Sequence, residues 1–190
     1  MSTVRRRATY DDLLKVPDTK VAEIIDGELI VSPRPALPHA HAASVMGADL
    51  IGAFHRSPGD PKGPGGWWLL NEPELHFGDD VVVPDQAGWR RERVPHLPSD
   101  AAYTEPPDWA CEVISPSTGV IDRGRKMRIY AREGVRHLWI VDPLLHTVEV
   151  YRLEDRRWVV AQTHGGSASA RLEPFERIEL EIGRWWIEGA

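Results

Sequence analysis

The chain has 190 residues, 42% hydrophobic and 27% charged, which is enough for one domain, 1–190, with a substantial core. A net charge of −6 argues against a protein that coats nucleic acid by bulk electrostatics, though not against one with a local basic groove. A single cysteine, no run of ~18 apolar residues and N-terminal arginines with no apolar segment behind them exclude a disulfide framework, a membrane span and a signal peptide, so the expected location is the cytoplasm.

Thr9 followed three positions on by Asp12 predicts a capped short helix. Two β-rich runs, 21–25 and 28–31, flank Asp26-Gly27, the signature of a hairpin, and Ser32-Pro33-Arg34-Pro35 stops it. His39 to Phe54 is Ala-rich and helical, and the Pro/Gly-rich stretch 57–66 is a loop. Trp67–Phe77 and Val81–Trp89 predict two strands, and the polar segment 90–107, with four prolines, an exposed loop. Next come an apolar strand from Trp109, a helix from Asp122 to Glu133 closed by Gly134, and a strand over 137–141. A hairpin (148–153 with 158–162) and one or two strands within 172–186 complete the chain. A helix between apolar strands, with hairpins attached, is an α/β arrangement.

Trp109-Ala110-Cys111-Glu112-Val113-Ile114 reads as a buried strand with a carboxylate in its middle. A lone buried carboxylate costs several kcal/mol or stays protonated, so Glu112 requires a partner. Alternation puts Ala110, Glu112 and Ile114 on one face. Asp108 shares that face but lies roughly 13 Å along the strand, too far to share a cation. Asp85, ending Val81-Val82-Val83-Pro84, is the better partner, because neighbouring strands are about 4.8 Å apart and matching heights bring two carboxylates together. With no His or Cys cluster nearby, a hard cation such as Mg²⁺ or Mn²⁺ fits best.

Lys126, on the helix after the Glu112 strand, can reach across to that carboxylate, orienting a water or stabilising phosphorane charge. Arg123, Arg125, Arg128 and Arg132 give the same helix a basic surface for nucleic acid. Two acids, a lysine and a basic rim match metal-assisted phosphodiester hydrolysis.

Pro84-Asp85, Glu112-Val113-Ile114-Ser115-Pro116-Ser117-Thr118, Asp122, Lys126, Tyr130, Gly134-Val135 and Trp139-Ile140-Val141-Asp142-Pro143 resemble the Uma family, a branch of the PD-(D/E)XK nuclease superfamily. Glu23, Asp26-Gly27-Glu28-Leu29, Ser32-Pro33 and His39 agree with it, so the resemblance spans roughly residues 9 to 153. It implies a restriction-endonuclease-like mixed β-sheet flanked by helices, with extra antiparallel hairpins, and catalytic Asp85, Glu112 and Lys126. Asp85 and Glu112 would be the metal ligands, and Glu23 or Glu28 an additional acid. Ile114 stands where the superfamily's lysine follows the glutamate by two residues, so Lys126 resembles a lysine displaced to the following helix. The implied activity is a Mg²⁺- or Mn²⁺-dependent endonuclease acting on DNA. Cutting both strands with single-site subunits implies a homodimer.

Plainer readings stand beside these. Asp85 after proline suits a turn, Glu112 is solvent-exposed if the face assignment is reversed, and a helical lysine is ordinarily solvated. Asp122 suits a helix cap, and His39 a local hydrogen bond. The competing functions are a catalytically inactive nuclease fold that binds nucleic acid or a protein and, more remotely, a glycosidase-like acid/base pair. Alanine at Asp85 or Glu112 is expected to relieve charge repulsion and leave the fold intact.

Overall fold

The computed structural model describes residues 6–99 and 102–187; the start of the N-terminal arginine run, two residues of the 90–107 loop and the last three residues lie outside these. Helix α1 (Tyr10–Leu13) begins with the expected cap, the Thr9 N–H donating to Asp12 Oδ2 at 3.0 Å. Strands β1 (Lys20–Ile25) and β2 (Glu28–Pro33) form the hairpin. Its two turn residues, Asp26 (φ 54°) and Gly27 (φ 80°), both take the positive φ that a tight two-residue turn demands. Helix α2 (Leu37–Phe54) buries Ala42, Met46, Leu50 and Phe54, a stripe at four-residue spacing.

Each of the two strands expected over 67–77 and 81–89 is in fact two. β3 (Trp67–Asn71) pairs with β6 (Gln86–Arg90), whereas β4 (Leu75–Phe77) pairs with β5 (Asp80–Val82) in a different sheet. The breaks fall at Pro73 and Pro84, which cannot donate to a ladder, so both arms of one long hairpin leave one sheet and enter another.

One sheet is four-stranded and antiparallel, in the order β2-β1-β5-β4. The other has six strands, ordered β10-β9-β8-β7-β6-β3, comprising β3, β6, β7 (Trp109–Val113), β8 (His137–Asp142), β9 (Thr147–Glu154) and β10 (Arg157–Gly165). Only β7 and β8 pair in parallel there, and the chain between them is the helical crossover that a parallel pair needs. The crossover runs α3 (Gly119–Ile121), a π-helical turn (Asp122–Lys126) and α4 (Met127–Glu133), ending at Gly134 in the left-handed region.

Core residues divide between the faces of the six-stranded sheet as alternation requires. Trp109, Cys111 and Val113 pack with α2 on one side, while Ala110 and Ile114 pack with Ile129, Tyr130 and the four-stranded sheet on the other. Gly88 of β6 lies between Trp67 and Trp109, and a Cβ there would come within 2.7 Å of Leu69. The segment expected to hold one or two strands, 172–186, supplies only β12 (Leu180–Glu181), paired with β11 (Ser169–Ala170), and a 3₁₀ turn, Ile182–Trp185. Its apolar residues do not alternate across a sheet. Leu172, Phe175, Leu180, Ile182 and Trp185 instead close over the α2 side of the core, where Phe175 meets Phe54, Trp67, Trp109 and Trp139 at ring-centroid distances of 4.8 to 5.6 Å.

Candidate active site

In the β6–β7 ladder Gln86 faces Cys111 and Ala87 faces Ala110. One further step along the register sets Asp85 level with Glu112. Asp85 lies in the gap between β5 and β6, just after the proline that interrupts the strand. Its carboxylate is held from two sides: Oδ2 accepts the Val113 N–H at 2.6 Å, and Oδ1 lies 3.1 Å from His39 Nε2. Asp108, set aside on distance, is occupied elsewhere, accepting from the Arg90 N–H and Arg93 Nε.

Glu112 is 2% exposed and lies on the α4 face of β7. Its oxygens are each 2.8 Å from Lys126 Nζ, and Oε1 also accepts the Tyr130 hydroxyl at 2.5 Å. Lys126, itself buried, stands 3.0 Å from Glu23 and 3.8 Å from Asp122, and donates to the Val83 carbonyl at 3.1 Å. Glu23 comes from β1 in the four-stranded sheet and is tied down by the Val83 N–H at 2.8 Å. The solvated reading of Lys126 and the exposed reading of Glu112 are therefore both wrong, because each group is the other's buried counter-ion.

Asp122, Lys126 and Tyr130 recur at four-residue spacing, which brings them onto a single face of the crossover helix toward β7. Asp122 thus sits inside the helix and within the cluster rather than capping it.

Burial pushes the Glu112 carboxyl well above the usual carboxylate range. The Lys126 ammonium opposes this, and the negative charges of Asp122, Asp85 and Glu23 reinforce it. Burial likewise raises Asp122. For Lys126 burial works against the ammonium, but Glu112, Glu23, Tyr130 and Asp122 outweigh it and its pKa lies well above the ordinary value. His39 is lowered by burial and raised more by Asp85, Asp122 and Glu72, for a net rise. The cluster carries more acid than base, and shifted groups gathered in one cleft mark it as a candidate functional site.

Of the two early acids, Glu23 enters the cluster and Glu28 does not; Glu28 is half-exposed and pairs with Arg125 at 2.8 Å. The arginines expected to form a basic rim are engaged by carboxylates: Arg125 by Asp26 and Glu28, Arg128 by Asp26 at 3.4 Å, and Arg123 by Glu149. His39 was expected to bond locally, yet its partner is Asp85, far along the chain. The roles of Tyr130 and Asp122 went unrecognised. Their four-residue spacing with Lys126 was the available signal.

Glu23, His39, Asp85, Glu112, Asp122 and Lys126 line one cleft of about 270 Å³, together with Ser115, Ser117 and Thr118. Among the described residues no three His, Cys, Asp or Glu side chains are grouped to hold a metal ion by themselves. Two carboxylates completed by water and substrate phosphate are nevertheless an ordinary Mg²⁺ donor set. Each carboxylate has about four lone-pair positions, and those of Asp85 and Glu112 are only partly used. The donor set therefore fits a hard divalent cation.

A six-stranded mixed sheet with a parallel pair at its centre, a helical crossover and acids converging at the strand ends define a nuclease-like α/β fold. A crystal structure described as a putative nuclease belonging to DUF820 from Anabaena variabilis ATCC 29413 has the same fold, with a TM-score of 0.68, 23% identity, and coverage of 94% of this chain and 97% of that one. The family model described as "Uma2: Putative restriction endonuclease" matches residues 7–183, and the chain belongs to that family. The match reaches beyond residue 153, where the sequence resemblance ended, to include the C-terminal segment that closes the core. No curated protein matches the chain. Family and fold support a nuclease function, and among the described residues no helix is long and apolar enough to cross a membrane.

Proposed function

We propose that this chain is a Mg²⁺- or Mn²⁺-dependent endonuclease that hydrolyses phosphodiester bonds of DNA, working as a homodimer when both strands are cut. The observation that carries the reading is the placement of Asp85 and Glu112 at one height on neighbouring strands, lining a cleft that also receives Lys126. Asp85 and Glu112 would hold the cation, with Glu23 behind them. When bound, such a cation supplies Lewis-acid polarisation of a phosphoryl oxygen and acidifies water. Lys126 would donate to the phosphoryl oxygen on which charge develops. Its ammonium has three N–H donors, and Glu112, Glu23 and the Val83 carbonyl surround it, so donation to a phosphate exchanges one of these contacts. Tyr130 keeps the Glu112 carboxylate in place during that exchange.

A second reading is a nuclease fold without activity that binds nucleic acid or a protein. The pairing of Arg123 and Arg125 with carboxylates favours it, since a phosphate would have to displace those partners. Incubation with supercoiled and single-stranded DNA, with Mn²⁺, Mg²⁺ or chelator, separates the two. Cleavage that needs the metal and disappears in Asp85→Asn and Glu112→Gln supports the nuclease. DNA binding without cleavage, unaffected by either substitution, supports the alternative.

A further inference from the structure

We propose that His39 is a positioning residue that fixes the Asp85 carboxylate for cation binding, an assignment resting on Asp85 being a metal ligand. His39 lies in the first turn of α2, three residues before Ala42 and seven before Met46. It therefore continues the buried stripe of that helix at the point where apolar core gives way to the cleft. His41, two positions on, turns elsewhere and meets the Arg184 carbonyl.

Asp85 needs such a hold. It belongs to no strand, and the preceding Pro84 removes a ladder hydrogen bond that would stiffen the backbone. Two donors from two elements set the plane of its carboxylate: the Val113 N–H on Oδ2 and the His39 ring on Oδ1, at 2.6 and 3.1 Å. The other ring nitrogen, Nδ1, is buried and has no hydrogen-bond partner. Here the ring's hydrogen-bonding capacity is directed to Asp85 alone, and a buried polar atom is left unpaired. Direct ligation of a cation by His39 is disfavoured by the same geometry, because Nε2 is taken and Nδ1 is enclosed. Outer partners of this kind typically change metal affinity 10–100-fold.

The test uses His39→Leu, which removes the donor but keeps the bulk, and His39→Gln, whose amide nitrogen reaches close to the imidazole Nε2 position. Two measurements are made on the whole chain: amide hydrogen exchange of Val113 without metal, and calorimetric titration with Mn²⁺. The expected result for His39→Leu is Val113 exchange faster by about 10-fold or more and Mn²⁺ affinity weaker by roughly 10–100-fold, with His39→Gln restoring most of both. Unchanged exchange in His39→Leu, or unchanged Mn²⁺ affinity where the wild type binds, overturns the assignment. If the wild type binds no Mn²⁺ while Val113 exchange still responds to His39, His39 does hold Asp85, and the metal-dependent reading of the site fails instead.

Discussion

Lys126 Nζ lies 2.8 Å from each carboxylate oxygen of Glu112, and both residues are 2% exposed. Because a β-strand and the helix that follows it each contribute one member, the pair ties the crossover to the sheet. Removing either partner leaves a buried charge, which typically costs about 3–5 kcal/mol. This revises the expectation from the sequence that alanine at Glu112 leaves the fold intact.

Lys126→Met is expected to lose stability on that order at neutral pH, measured by urea denaturation. Glu112 is already pushed up by burial, and without the ammonium it rises further. A raised carboxyl favours the fold below its unfolded value and loses that contribution as pH rises through the folded value. The deficit of the variant should therefore grow from acid toward neutral pH. A deficit independent of pH would mean that Glu112 is not the group left stranded.

Tyr130→Phe deletes one hydroxyl from a residue that is otherwise core. A hydrogen bond to a charged acceptor contributes about 1.5–3 kcal/mol, and a denaturation midpoint shifted by that amount with an unchanged slope is expected. Under the proposed function, Mn²⁺-dependent cleavage should fall more than the affinity for DNA, since the Tyr130 hydroxyl bonds Glu112, the proposed metal ligand.

Phe175→Ala tests whether the C-terminal segment is structural. The ring meets four aromatic neighbours from α2, β3, β7 and β8, so truncation should cost about 3–5 kcal/mol. Trp fluorescence is a sensitive readout, as Trp67, Trp109 and Trp139 pack directly against the ring. A loss below about 1 kcal/mol would show the segment to be detachable.

His137 provides a pH dependence away from the site. Burial, helped by Arg90, Arg152 and Arg136, lowers its pKa from 6.5 to about 4. Asp108 opposes this more weakly, and Glu173, 3.5 Å away, is shared with Arg152 at 3.6 Å. Between those values the unfolded chain binds a proton that the folded chain refuses, so stability present above pH 6.5 declines as pH falls toward 4. The gap corresponds to about 3 kcal/mol. In His137→Gln the stability profile over this window should be flatter, by denaturation at a series of pH values.

The hairpin at Asp26-Gly27, the strand–helix–strand order around Glu112 and the faces of β7 were all legible, because alternation and turn chemistry act locally. Strand spacing gave the separation of Asp85 from Glu112 but not their matching height, which the long-range β6–β7 register sets. The split of 67–77 and 81–89 was written in Pro73 and Pro84, but which sheet each half joins is decided by long-range pairing. The π-helical turn had no local signal apart from Gly124, whereas the shared face of Asp122, Lys126 and Tyr130 was present in their four-residue spacing. The 172–186 segment misled because its apolar residues answer to an aromatic cluster built by distant strands rather than to a period of their own.

The hairpin arms that pass from one sheet to the other make the cleft a gauge of how those sheets are set. Glu23 rides on the four-stranded sheet, Glu112 on the six-stranded one, and Asp85 on the joint between them. Any shear of one sheet over the other alters the span between these acids, and anything that clasps them together locks that shear. Lys126, in contact with Glu23, Glu112 and the Val83 carbonyl, is the clasp the protein supplies itself, so its removal should loosen the β1–β2 hairpin far from the helix that carries it.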